Sequence, residues 1–125
     1  MKPFLLLILA LTLTACGSGS AGEGGVLLHQ QYTVQMKEDF AKVEECTQLK
    51  GEPFETLHIE VHPYDFKCQW GSGFCSGEFR EPNRIDISLT MSARHEFIHK
   101  ILFDNTGDSD PDHKSPLFKQ CQFVQ

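Results

Sequence analysis

A small α+β domain is expected from three stretches of the chain. Residues 34–50 carry apolar side chains at helical intervals among lysines and glutamates. Residues 56–62 and 84–89 alternate apolar and polar side chains as half-buried strands do. Residues 91–103 form an apolar segment of helical period around the pentapeptide His95-Glu96-Phe97-Ile98-His99. Together they predict an N-terminal helix, a short antiparallel or mixed sheet, a helix bearing the pentapeptide, and a short C-terminal helix. A chain of 125 residues holds one such domain at most.

The first fifteen residues stand outside it. Lys2 is followed by an apolar run over residues 4–13, broken only by Thr12, and then by Leu13-Thr14-Ala15-Cys16. The run is too short for a stable bilayer anchor and reads as an export signal. Leu-Thr-Ala-Cys resembles a bacterial lipobox. That resemblance implies that Cys16 receives lipid, palmitate included, and becomes the first residue of the mature chain. The alternative is an ordinary signal peptide that leaves Cys16 as a free thiol, a liability in an oxidising space. Either way the protein leaves the cytosol. Residues 17–25 (GSGSAGEGG) are Gly/Ser-rich and read as a flexible tether. The expected division is 1–15 signal peptide, 16–30 lipidated Cys and tether, and 31–125 folded domain. The expected location is the bacterial cell envelope, held through the N-terminal lipid. Gly17 lacks the aspartate linked to inner-membrane retention, so the outer membrane is the expected destination where the host has two membranes.

Loss of residues 1–15 removes only Lys2 among the charged residues and leaves ten basic against seventeen acidic groups, a formal −7. Such a balance argues against nucleic acid or anionic lipid headgroups as partners. With Cys16 assigned to lipid, Cys46, Cys68, Cys75 and Cys121 remain, and four cysteines allow three pairings. Cys68 and Cys75 flank a Trp-Gly-Ser-Gly turn region and are expected to pair locally. Cys46 is then left for Cys121, a long closure expected to stabilise by about 3–5 kcal/mol. A zinc site built on these thiols is the rival, but the sequence holds no C-x-x-C pair.

In the first helix Val34, Phe40, Val43 and Leu49 form the expected apolar set, with Cys46 towards the core and Gly51 as the residue that ends it. Leu57, Ile59 and Val61 share one face of the next strand. His58, Glu60 and His62 share the other, read as solvated sheet in preference to a metal face. Residues 64–74 form a loop with the small disulfide, 76–79 a short strand, 81–83 a turn, and 84–89 the clearest strand. Thr90 or Ser92 is placed to cap the helix that follows.

On that helix His95 and His99 lie one turn apart and can aim two imidazoles at one point, with Glu96 beside them. Met91, Phe97, Ile98, Ile101 and Leu102 fall in one apolar stripe, the histidines at its edge, Lys100 and Asp104 on the far side. HExxH on a helix is the arrangement in which two His bind zinc and the Glu serves as general base. A catalytic zinc takes three protein ligands, and His113 is the preferred third. Asp108, Asp110 and Asp112 are weaker candidates, read as solvated or as orienting the imidazoles. Their spacing suggests calcium, but the EF-hand glycine and bidentate glutamate are missing. Ser115 and Pro116 open a last short helix with Leu117, Phe118 and Cys121 inward, pinning His113.

His95-Glu-Phe-Ile-His99 followed by His113-Lys-Ser-Pro-Leu-Phe118 resembles the small zincin-type metallopeptidases, WLM-type and SprT-like domains among them, over about residues 84–123. The resemblance implies a zincin-like fold, Zn²⁺ held by His95, His99 and His113, and Glu96 as the catalytic base. The interval from His99 to His113 is longer than in WLM-type domains. The metzincin continuation is missing, since position 102 is Leu and position 105 is Asn. On this reading the protein is an exported, membrane-tethered zinc metalloendopeptidase. It is expected to be a monomer acting on peptide or protein substrates, laid along the edge formed by residues 84–89. Arg94, Tyr64, His58 and His62 are candidates for stabilising the oxyanion. The competing reading is a non-catalytic lipoprotein binding or inhibitor module with structural zinc or none.

Overall fold

The computed structural model describes residues 22–89 and 93–123, with side chains from Tyr32 onward. The expected export signal, Cys16, Met91 and the two expected caps, Thr90 and Ser92, lie outside the described residues. Among those described, no helix is long and apolar enough to cross a membrane.

The protein is a small mixed α+β domain. Helix α1 (Gly22–Thr47) leads through a 3-10 turn (Phe54–Thr56) to β1 (His58–His62). Then come β2 (Phe66–Lys67), β3 (Phe74–Cys75), β4 (Gly77–Arg80), β5 (Arg84–Ser88), α2 (Arg94–Thr106) and α3 (Leu117–Cys121). The main sheet has the order β1-β5-β4, and β2 and β3 form a separate hairpin. β1 runs parallel to β5 and β4 antiparallel to it. Ile59, Val61, Ile85, Ile87 and Phe79 turn one face of this sheet to α1 and α2, whose Phe40, Val43, Phe97, Ile98 and Ile101 complete the core. Phe97 meets Phe40 edge to face at 5.2 Å between ring centroids, a geometry the ring quadrupoles favour.

Several expectations change. α1 begins at Gly22, so the part of the expected tether from there on is helical. Its inward face is Met36, Phe40 and Val43, while Val34 is 61% exposed. Asp39 is buried in the same face, because Arg94 of α2 donates to it from Nε and Nη2 at 2.9 and 2.7 Å. The helix ends at Thr47, and Gln48 at φ 57°, not Gly51, takes the left-handed position. Gly51 serves close approach instead: a Cβ there would lie 2.9 Å from the Phe40 ring.

Strand β5, expected at an edge, is central, so no ligand can pair along it; the edges are β1 and β4. Lys100 and Asp104, expected on the exposed side of α2, are buried together. Lys100 is 0% exposed and donates to Asp104 and to Asn83 Oδ1. Asp104 also accepts from the main chain of Glu52 at 2.8 Å, so this pair ties α2 to the loop before β1. Both expected disulfides are present, Cys46–Cys121 with Cα atoms 5.7 Å apart and Cys68–Cys75 at 5.3 Å.

Candidate functional site

Helix α2 packs against β4 on one side and against α1 and α3 on the others. It ends at Gly107, whose φ of 76° suits the left-handed cap and whose N–H returns to the Phe103 carbonyl. Its two histidines open at the boundary between core and surface: His99 is buried and His95 half-buried. His113, from the loop after α2, completes a triangle. Its Nε2 lies 2.9 Å from His95 Nε2 and 3.1 Å from His99 Nε2. The ring of Phe118, on α3, is packed against all three imidazoles with centroids 4.6–5.2 Å away.

The other ring nitrogens decide what those three atoms can do. His99 Nδ1 lies 2.7 Å from the Ser109 carbonyl, and His95 Nδ1 lies 3.1 Å from Gln122 Oε1. Both partners are acceptors, so each Nδ1 carries the hydrogen and each Nε2 presents a bare lone pair. His113 Nε2 has one hydrogen at most and can satisfy one of the two. Three imidazole nitrogens thus converge with too few protons among them, which a bound cation resolves. Two nitrogens 2.0–2.1 Å from one tetrahedral ion stand about 3.4 Å apart, so the two edges at His113, 2.9 and 3.1 Å, need to open by only a few tenths of an ångström. Burial holds His99 down to a pKa of about 4, and burial likewise lowers His95, so both are neutral at pH 7 as ligands must be.

The loop that delivers His113 is organised by Asp110. Its carboxylate accepts the Lys114 and Ser115 N–H groups at 3.0 and 2.6 Å, and its carbonyl accepts the His113 N–H at 3.0 Å. Asp110 and His113 both sit at positive φ, 55° and 54°. For a histidine that conformation costs about 1 kcal/mol, which the grip of Asp110 offsets. Asp110 therefore hydrogen-bonds the main chain, while its charge favours the protonated form of His99 against the larger effect of burial. Asp108 accepts the Asp110 N–H, and Asp112 pairs with Lys114 at the surface. Among the described residues the three aspartates form no ligating group, contrary to a calcium site. Ser115 Oγ accepts the Leu117 N–H at 3.3 Å at the start of α3.

Glu96 is 5% exposed and points the other way, towards β4. Burial drives its pKa up to about 7; the Phe79 N–H, which its carboxylate accepts, opposes that, and the nearby Glu78 adds to it. Gly77 leaves the room this carboxylate occupies: a Cβ there would stand 2.6 Å from Glu96 Oε1. Glu96 is outside the group formed by the three imidazole nitrogens, and its carboxylate is turned to Gly77 and Phe79 of β4.

Comparison with protein-family models, with curated proteins and with solved structures finds no match for this chain. The site is therefore argued from its own geometry.

A second set of potential ligand atoms, Glu60, His62 and Asp86, lies on the opposite face of the sheet. Asp86 Oδ1 meets His62 Nε2 at 3.0 Å, and its Oδ2 accepts from Arg84 and Arg80 at 3.0 and 3.1 Å. Glu60 is paired with Arg84 as well. Burial would raise the Asp86 pKa, yet hydrogen bonds from Arg84 and His62 and the charge of Arg80 carry it below its ordinary value. Two guanidiniums already occupy the place of a cation, so this cluster is a structural ion network. The residues considered for an oxyanion are also elsewhere. Arg94 is held by Asp39, and His62 by Asp86 beneath the Phe66 ring. His58 is on β1 and Tyr64 just beyond it, separated from β4 by β5. Gln122, the Ser109 carbonyl and Gly77 were not singled out by sequence, since an amide, a main-chain oxygen and a missing side chain carry no motif.

Proposed function

We propose that the protein is a zinc-dependent peptidase in which His95, His99 and His113 hold the metal and Glu96 is the general base. The observation that carries this reading is the convergence of three Nε2 atoms, with the opposite nitrogens of His95 and His99 locked by acceptors, on the helix that also carries the buried Glu96 carboxylate. The zincin-like resemblance of HEFIH points the same way. When bound, zinc supplies Lewis acidity, polarising a carbonyl and making water acidic near neutral pH. Glu96 accepts a proton from water and delivers it to the departing amine.

β4 supports a peptide as substrate. Ser88 N–H donates to the Ser76 carbonyl, and antiparallel alternation then turns the main-chain groups of Gly77 and Phe79 away from β5. This outer edge carries no further strand among those described; Glu96 takes the Phe79 N–H, and an extended peptide can add as a further strand on the remaining outward groups of Gly77 and Phe79. Export and attachment to the cell envelope through lipid on Cys16 belong to the same proposal.

The test is metal content and cleavage measured together. Purified protein is expected to carry one zinc and to cleave an unstructured protein such as casein. Removing metal with a chelator should abolish cleavage, and adding zinc back should restore it. Protein that holds zinc but cleaves neither casein nor a peptide library would favour a non-catalytic binding module instead.

Gly77→Ala is a sharper probe. The new methyl meets the Glu96 carboxylate and Cγ, so the carboxylate should be displaced from the Phe79 N–H while the helix and its histidines persist. Cleavage is expected to fall by about 10²-fold with zinc content unchanged, on the general experience that misplacement by an ångström costs that much. Full activity in Gly77→Ala would show that the Glu96 position does not matter.

A further inference from the structure

A cavity of about 540 Å³ opens between the outer edge of β4 and the loop that precedes His113. Trp70, Phe79 and Pro111 provide its apolar walls, and Arg80, Glu81 and Ser109 its polar ones. It adjoins the imidazole site: none of the three histidines lines it, but Ser109 in its wall lends its carbonyl to His99 and Phe79 its N–H to Glu96.

Three of the polar wall residues are already engaged, Arg80 with carboxylates outside the cavity and Ser109 with Glu81. Arg80 pairs with Glu78 and Asp86 at 2.8 and 3.1 Å, and Ser109 Oγ donates to Glu81 at 2.8 Å. An acidic side chain entering the cavity finds the cation in its wall, Arg80, already paired with two carboxylates. The aromatic wall has no such engagement: Trp70 is 78% exposed, although a solvated indole is a poor use of so large an apolar surface. It is nevertheless held in place. The Cys68–Cys75 disulfide closes the hairpin, Glu78 of β4 accepts the Gln69 N–H at 2.9 and 3.1 Å, and Gly71 at φ 91° makes the turn beyond it. A rigidly mounted, exposed aromatic at the mouth of a cleft is arranged for a ligand.

We infer that this cavity is the specificity subsite of the cleft, taking one bulky apolar side chain, aromatic or long aliphatic, from an extended peptide, with Trp70 as its wall. The inference rests on the peptidase reading for the identity of the ligand as a peptide. Along an edge strand every second side chain of an added peptide faces the same way, so one position of the substrate carries the preference.

Trp70 is the only tryptophan in the chain, so its fluorescence reports this site alone. The experiment uses the full chain carrying Glu96→Gln, titrated with hexapeptide pools that differ at one position as Phe, Leu, Ala or Lys. The Phe and Leu pools are expected to shift and saturate the Trp70 emission at concentrations about tenfold below the Ala pool. In an otherwise native chain, Trp70→Ala should bring the ratio of kcat/KM for Phe over Ala substrates close to one, with zinc content retained, and Trp70→Phe should keep most of the preference. Tighter binding of the Lys pool, cleavage without any response of Trp70, or a response only to phosphatidylglycerol vesicles would each overturn the subsite. A Trp70 response to Phe and Leu peptides in a chain that cleaves nothing would uphold the subsite and overturn the peptidase.

Discussion

Glu96→Gln is expected to lose hydrolysis by about 10²–10⁴-fold while keeping its zinc and, when the metal is removed, to be more stable than the native chain at pH 8. Both effects come from one carboxyl group. Gln preserves the shape and the acceptor for the Phe79 N–H but cannot take a proton from water. The stability effect follows from the raised pKa, about 7 in the folded chain against 4.5 for an ordinary glutamate. Between those values the folded state binds more protons than the unfolded state, so stability is full below pH 4.5 and falls as pH rises through 7. At pH 8 the buried, ionised carboxylate costs on the order of 2–3 kcal/mol, which Gln does not incur. Thermal or urea unfolding of the two metal-free proteins from pH 4 to 8 measures it. A structural role for Glu96 predicts the opposite sign, a less stable Gln variant at pH 8. Retained cleavage by Glu96→Gln would remove it as the base.

Replacing Cys46 and Cys121 together by Ser should cost about 4–5 kcal/mol, a large share of the 5–15 kcal/mol that holds a small domain folded. The bond joins positions 75 residues apart and so removes much of the freedom of the unfolded chain. Removing Cys68–Cys75, seven residues apart, should cost only about 2 kcal/mol. The long bridge also reaches the metal site. It fixes α3 to α1, and α3 carries Phe118 against the three imidazoles and leads into Gln122, the partner of His95. The double variant should therefore bind zinc more weakly even where it remains folded, by about 10-fold or more as for other lost partners of ligand histidines. Guanidinium unfolding and a zinc competition titration check the two parts. A loss below about 1 kcal/mol would mean that the unfolded chain is already compact enough to make the constraint idle.

What could be read in advance follows the range over which each signal acts. The α2 helix and the pairing of His95 with His99 are set within one turn, so residue spacing was enough to place them. His113 was reachable because it is the single histidine after the pentapeptide, and the two disulfides because four cysteines allow few pairings. Lys100 was placed in solvent by the helical wheel and is fully buried. A wheel sees one helix, whereas the groups that make burial tolerable, Asn83, Asp104 and Glu52, arrive from three segments. Val34 was assigned to the core for the same kind of reason: an apolar residue fits either side of a helix until the neighbours are known, and Met36 takes the inward place.

The sequence by itself determined the small α+β composition, the order of its main helices and strands, the count of four cysteines and the pentapeptide with its downstream histidine, since these depend on period, spacing and count. Only the tertiary structure decided that β5 is central and β4 the open edge, because alternation along a strand reports which face is buried and says nothing about which strands lie beside it. It alone brought Gln122 and the Ser109 carbonyl to the outer nitrogens of His95 and His99, and set Gly77 against Glu96. Those contacts join residues from 10 to 27 positions apart through the packing of α2, α3 and β4, and no local pattern encodes them.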